Sequence, residues 1–111
     1  SITWNIFNMA NVKKGILLYE EGNYGSALEV FEKALTFPEN LGVGQSHRTE
    51  EAMAWFWKGK TLLVMGANEE AMIAWKNGAS SINGSERQNR YIKLCSELYR
   101  NKGAIKNHKS E

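Results

Sequence analysis

GILLYEEGNYGSALEVFEKA, residues 15–34, and GKTLLVMGANEEAMIAWKNG, residues 59–78, are one pattern written twice. Slid by 44 positions, Gly15 falls on Gly59, Leu18 on Leu62, Gly22 on Gly66, Ala27 on Ala71, Phe31 on Trp75 and Ala34 on Gly78, without a gap. The register also pairs Met9 with Met53, Ala10 with Ala54 and Leu28 with Met72. Small residue meets small and aromatic meets aromatic, the mark of a repeated packing unit.

The spacing inside each unit specifies helices. Val12, Ile16, Leu17, Leu18 and Tyr19 build one helix face, which Gly22-Asn23 interrupts. Ala27, Leu28, Phe31, Ala34 and Leu35 then recur at steps of three and four, a second amphipathic helix that ends near Phe37-Pro38. Gly15, Ala27 and Ala34 are small, as two antiparallel helices in close approach require, and Phe31 fills the space between them. The second unit opens near Thr49, a capping residue, with Glu50 and Glu51 beside the positive end of the helix dipole. Gly66-Ala67 makes its turn and Asn68 caps the next helix. Ser85 and Gln88 have capping-box spacing and open a fifth helix through Tyr91, Leu94, Cys95 and Leu98, expected to stop at Gly103. The expectation is five helices, near residues 3–21, 24–36, 49–65, 69–80 and 85–102.

Composition agrees. With 42% hydrophobic and 23% charged residues the 111-residue chain is globular and of single-domain size. The net charge of +2 compels neither a nucleic-acid nor a membrane partner. Positive charge does gather at the C-terminal end, where Arg87, Arg90, Lys93, Arg100, Lys102, Lys106 and Lys109 face Glu86, Glu97 and Glu111. A solvated helix face or a site for an acidic partner both account for it. Cys95 stands alone, so no intrachain disulfide can form and a reducing, intracellular setting is expected, cytoplasm or an organelle interior such as chloroplast stroma. No apolar run reaches the length of a membrane span.

The run Gly15-x6-Gly22-x-Tyr24-x2-Ala27-x3-Phe31-x2-Ala34 resembles the tetratricopeptide repeat, a helix-turn-helix of roughly 34 residues. Trp55, Gly59, Gly66, Ala71 and Trp75 carry the likeness in the second unit, with Gly78 where alanine is usual and Asn83 where proline is usual. The resemblance implies an all-α fold: two antiparallel helix-turn-helix units and a C-terminal capping helix in a right-handed superhelical array. The domain is then residues 1–103, with repeat 1 at about 8–38, an inserted loop at 39–48, repeat 2 at about 49–85, a cap at 85–102 and a flexible tail at 104–111. The loop Glu39 to Arg48 is either a passive connector or a partner contact.

The same resemblance implies a concave groove, lined by the first helix of each unit, that holds a peptide or helix of another protein. Its candidate residues here are Val12, Ile16, Tyr19 and Glu20, then Met53, Phe56, Lys60, Leu63 and Val64, then Arg87, Arg90 and Leu94. That is an apolar floor with a basic edge, suited to a partner carrying acidic residues. One subset of the family grips chaperone C-terminal carboxylates through lysine, asparagine and arginine, and those places fall on Val12, Ile16, Trp57, Arg87 and Tyr91. Only Arg87 fits that pattern, and Val12 and Ile16 cannot donate to a carboxylate at all, so a carboxylate-clamp ligand is not expected.

Catalysis is not expected either. His47 and His108 lie in segments without ordering signals, aspartate is absent, and the paired glutamates read as solvated helix positions. Neither a metal motif nor a phosphate-binding glycine loop is present, so no cofactor and no metal site is assigned. RNA binding is the competing class, since related helical arrays read bases. Two repeats with basic residues crowded at one end suit it poorly. The third alternative is an assembly fragment: Trp4, Ile6, Phe7 and Met9 form an apolar N-terminal edge for an upstream segment or a second copy.

Overall fold

The computed structural model describes the backbone of residues 2–36 and 50–109 and the side chains of 6–36 and 50–102. The described residues form five helices and no strand: α1 Ile2–Glu20, α2 Tyr24–Leu35, α3 Ala52–Val64, α4 Asn68–Ala79 and α5 Glu86–Lys109. The segment 39–48, Thr49, His47 and the side chains of Trp4 and His108 lie outside the described residues.

Two turns of the same design make the hairpins. Gly22, at φ +83°, donates its N–H to the Tyr19 carbonyl, and the Asn23 N–H reaches Leu18. Gly66, at φ +86°, donates to Leu63, and the Ala67 N–H reaches Leu62. Both are Schellman ends, in which a left-handed residue closes the last helical turn, and that backbone favours glycine. The chain reverses at once. Tyr19 lies beside Tyr24 at the turn and Gly15 beside Phe31 further down, so α2 runs back along α1.

Gly15 and Gly59 set how closely the helices of each hairpin approach. A Cβ on Gly15 would stand 2.4 Å from the Phe31 ring, and one on Gly59 would stand 2.2 Å from the Trp75 indole nitrogen. Either ring therefore lies directly against the opposite helix backbone. Trp75 uses the position to donate its indole N–H to the Phe56 carbonyl at 3.2 Å, which satisfies the one polar atom of a fully buried side chain. Gly78 repeats the arrangement against α5, where a Cβ would meet the Cys95 sulfur at 2.4 Å.

One core therefore joins α1, α2 and α3 through Val12, Ala27, Phe31, Ala34, Met53 and Ala54. A second joins α3, α4 and α5 through Leu62, Ala71, Ala74, Trp75 and Cys95. α3 contributes to both and is the shared helix, also tied to α2 by Lys58 and Glu32 at 3.5 Å. Ala27 and Ala71 are fully buried.

Four local expectations are corrected. α3 opens at Ala52, not near Thr49, with Glu51 at its cap position and no side-chain cap bond. Asn68 does not cap α4 but is its first residue, with Ala67 at the cap position and no side-chain cap bond. Ser85 does cap α5, accepting the Gln88 N–H at 3.0 Å, but the Gln88 side chain turns away to α3 in place of closing the box. α5 does not stop at Lys102; it passes through Gly103 to Lys109. A glycine inside a helix costs only about 1 kcal/mol, too little to end it without a Schellman closure such as those at Gly22 and Gly66.

Two predictions follow from these contacts. Gly59→Ala should destabilise the chain by roughly 1–3 kcal/mol through overpacking, whereas Gly25→Ala, in α2 with open space around it, should stabilise by up to about 1 kcal/mol. Denaturant melts giving the same sign for both would show that the close approach is misassigned. Burial pushes the Cys95 thiol up to about 12 from 9.0, so the folded chain should resist thiol-directed reagents at pH 8 and react on unfolding. Above pH 9 the unfolded thiol ionises while the folded one keeps its proton, so this residue should lower stability as pH rises towards 12. Labelling of the native chain as fast as that of the denatured chain would contradict the placement.

Candidate functional site

The side of the molecule formed by α1, α3 and α5 carries a continuous series of aromatic rings. Tyr24 touches Tyr19 at 5.3 Å between centroids, Tyr19 touches Trp57 at 5.5 Å, Trp57 touches Phe56 at 5.4 Å and Phe56 touches Tyr91 at 5.2 Å. Each contact is edge to face, at interplanar angles from 60° to 88°. In this geometry the positive edge of one ring meets the negative face of the next, worth about 0.5–1.5 kcal/mol per pair beyond the area buried. All five rings are half-buried. Lys60 lies above the series, its ammonium 5.9 Å from the Phe56 centroid.

Of the residues expected to line a groove, Ile16, Tyr19, Phe56, Lys60 and Leu63 are half-buried, while Arg90, Glu20, Val64 and Leu94 are exposed. Val12 and Met53 are corrected. Val12 is fully buried and Met53 only 7% exposed, and both belong to the first core, so neither side chain is available to a partner. Helical spacing marks the inward side of α1 and α3, but each helix has neighbours on more than one side.

Arg87 is also drawn into structure. Its Nε donates to Glu50 Oε2 at 3.2 Å and its NH2 group to the Met9 sulfur at 3.0 Å. Glu50 is 7% exposed and accepts from the Ser85 hydroxyl through its other oxygen. Its carbonyl accepts from buried Asn8 on α1 at 2.6 Å. Gln88, fully buried, accepts the Ala52 N–H at 2.8 Å and donates to the Ile82 carbonyl at 2.9 Å. Together these bonds fasten the starts of α3 and α5 to α1, in a network where each partner offsets the desolvation of the next.

Trp57 and Tyr91, which the resemblance places at two of the carboxylate-clamp positions but which are not among the groove candidates, complete the ring series. The 44-residue self-match gives no hint of Trp57, because it sets that residue against Lys13. Tryptophan beside phenylalanine in a helix whose other sides are already filled was the available signal. At the N-terminal edge, Ile6 is 64% exposed, whereas Met9 packs on the first core.

Away from the ring series, a concavity of about 170 Å³ lies between α3 and α4, lined by Trp55, Lys58, Leu62, Glu70, Ile73, Ala74 and Asn77. Its cation is already engaged, since Lys58 sits 5.3 Å over the Trp55 ring as well as beside Glu32. Among the described residues no helix is long and apolar enough to cross a membrane. Comparison with family models, with curated proteins and with solved structures gives no match to this chain.

Proposed function

We propose that this chain is a tetratricopeptide-type module that holds another protein on the side formed by α1, α3 and α5. The observation that carries the reading is the ring series from Tyr24 to Tyr91, which crosses four helices at the edge of both cores and stays only half-buried. Aromatic anchors flanked by cations are the composition of protein-binding hot spots. Val64 and Leu94, 47% and 37% exposed, extend the apolar area at positions where the family resemblance also places the groove. The duplicated turns and glycine-aromatic contacts support the family assignment, since they fall on the positions that define the repeat.

The revised contact set is Ile16, Tyr19, Phe56, Trp57, Lys60, Leu63, Tyr91, Leu94 and Arg90. Affinity capture from the native source supplies the partner, and binding kinetics on variants then test the assignment. Phe56→Ala should chiefly speed dissociation, weakening binding by roughly 2 kcal/mol or about thirtyfold. Arg90→Glu should slow association and flatten its salt dependence without disturbing the fold, because the side chain is exposed. Arg87→Ala should act the other way, lowering stability by about 1 kcal/mol with little direct effect on association; its 39% exposure keeps the loss below that of a fully buried pair. Parent-like binding by the Phe56 and Arg90 variants, together with loss of binding on substitution within Glu39 to Arg48, would move the site to that segment.

A further inference from the structure

If a partner is held on this side, as proposed above, two features limit what it can be. The first is hydrogen bonding. The floor is built of ring edges and faces from Tyr19, Trp57, Phe56 and Tyr91, with Ile16 and Leu63 half-buried in the same helices. Its polar groups are the two tyrosine hydroxyls and the Trp57 indole N–H, which is buried and has no acceptor among the described residues. An extended segment laid on these rings would bury its own peptide N–H and C=O groups against carbon, losing water without gaining partners. An α-helix satisfies its backbone internally and presents apolar side chains at steps of three and four along one face.

The second feature is charge. The ion pairs among the described residues engage Lys58 with Glu32 and Arg87 with Glu50. Lys60 and Arg90 stand outside both pairs. Lys60 is on α3 above Phe56, and exposed Arg90 precedes Tyr91 on α5, so the two cations belong to the two helices that the Phe56–Tyr91 contact joins. A cation over an aromatic ring keeps its charge and can still accept a carboxylate from the open side. We infer that the segment held here is an acidic amphipathic helix, its apolar stripe on Phe56, Trp57 and Tyr91 and its flanking carboxylates on Lys60 and Arg90.

The test uses synthetic peptides about four turns long titrated into the whole chain, followed by fluorescence anisotropy. One peptide carries leucine at helical spacing with glutamate on both flanks; its twins carry lysine or glutamine in place of glutamate; a fourth keeps the acidic composition but is interrupted by proline; an oligouridine is the fifth probe. The acidic helix should bind about tenfold tighter than the lysine twin at low salt, with an advantage that shrinks as salt rises. Lys60→Glu with Arg90→Glu should invert that order, and Phe56→Ala should weaken binding of every peptide. Equal binding of the lysine twin, or of the proline-interrupted peptide, overturns the inference. If Phe56→Ala still weakens that binding, the site reading survives. Oligouridine binding tighter than any peptide, or no binding by any probe, overturns both.

Discussion

The missing side chains of Gly15 and Gly59 are the constraint on which the rest of the structure depends. Each lets an aromatic ring from the returning helix lie against backbone where even a methyl group would collide, at 2.4 Å for Phe31 and 2.2 Å for Trp75. That approach buries the two largest core side chains completely, and truncating such a side chain costs about 3–5 kcal/mol. It also fixes the order of the stack. With Trp75 seated over Gly59, its indole can reach the Phe56 carbonyl, and Gly78, a turn further along α4, lies against both Trp55 of α3 and Cys95 of α5.

Close packing between hairpins leaves helix starts to be reconciled, and there the molecule uses polar groups. Glu50 faces Ser85 and Arg87 with its carboxylate and Asn8 with its carbonyl, so three helices are registered against one residue. Gln88 takes a donor from α3 and supplies one to the segment before α5. Such groups add specificity more than net stability, because removing one partner leaves the others buried and unpaired. With those contacts made, α3 stays half-buried along two strips, one bearing Phe56, Trp57, Lys60 and Leu63 and the other bearing Trp55 and Lys58 beside the concavity with α4. The candidate site is the first of these strips, the one that carries the ring series.

Much of this was legible in the chain. The duplicated glycines announce both the turns and the close contacts, since a left-handed turn and a backbone approach each demand glycine, and helical spacing then locates five helices, every boundary but the end of α5 within about three residues. What spacing cannot decide is which neighbour claims an inward side chain. Val12 and Met53 sit on the side expected to face a partner, yet the core of α1, α2 and α3 encloses them. Arg87 reads as one more charge in a basic segment until Glu50, distant in sequence, is placed beside it. Ring contacts such as Tyr19 with Trp57 join separate units, so no pattern internal to one unit reveals them. The end of α5 was misjudged for a simpler reason, a glycine without the closing hydrogen bonds that make one a stop.

Large apolar residues are exposed both on the helices that bear the ring series and beside the concavity between α3 and α4, and the proposed binding surface includes only the first. Val64 and Leu94 lie with the ring series on α3 and α5, whereas Ile73, 59% exposed, lies beside the concavity between α3 and α4. The most direct test is a photoreactive phenylalanine analogue placed at Leu94 in one variant and at Ile73 in another, followed by illumination with the captured partner and mapping of the cross-linked peptides. Cross-linking from Leu94 and none from Ile73 is the expected result of the proposed placement. Cross-linking from Ile73 alone would contradict it and move the binding surface to the opposite side of α3.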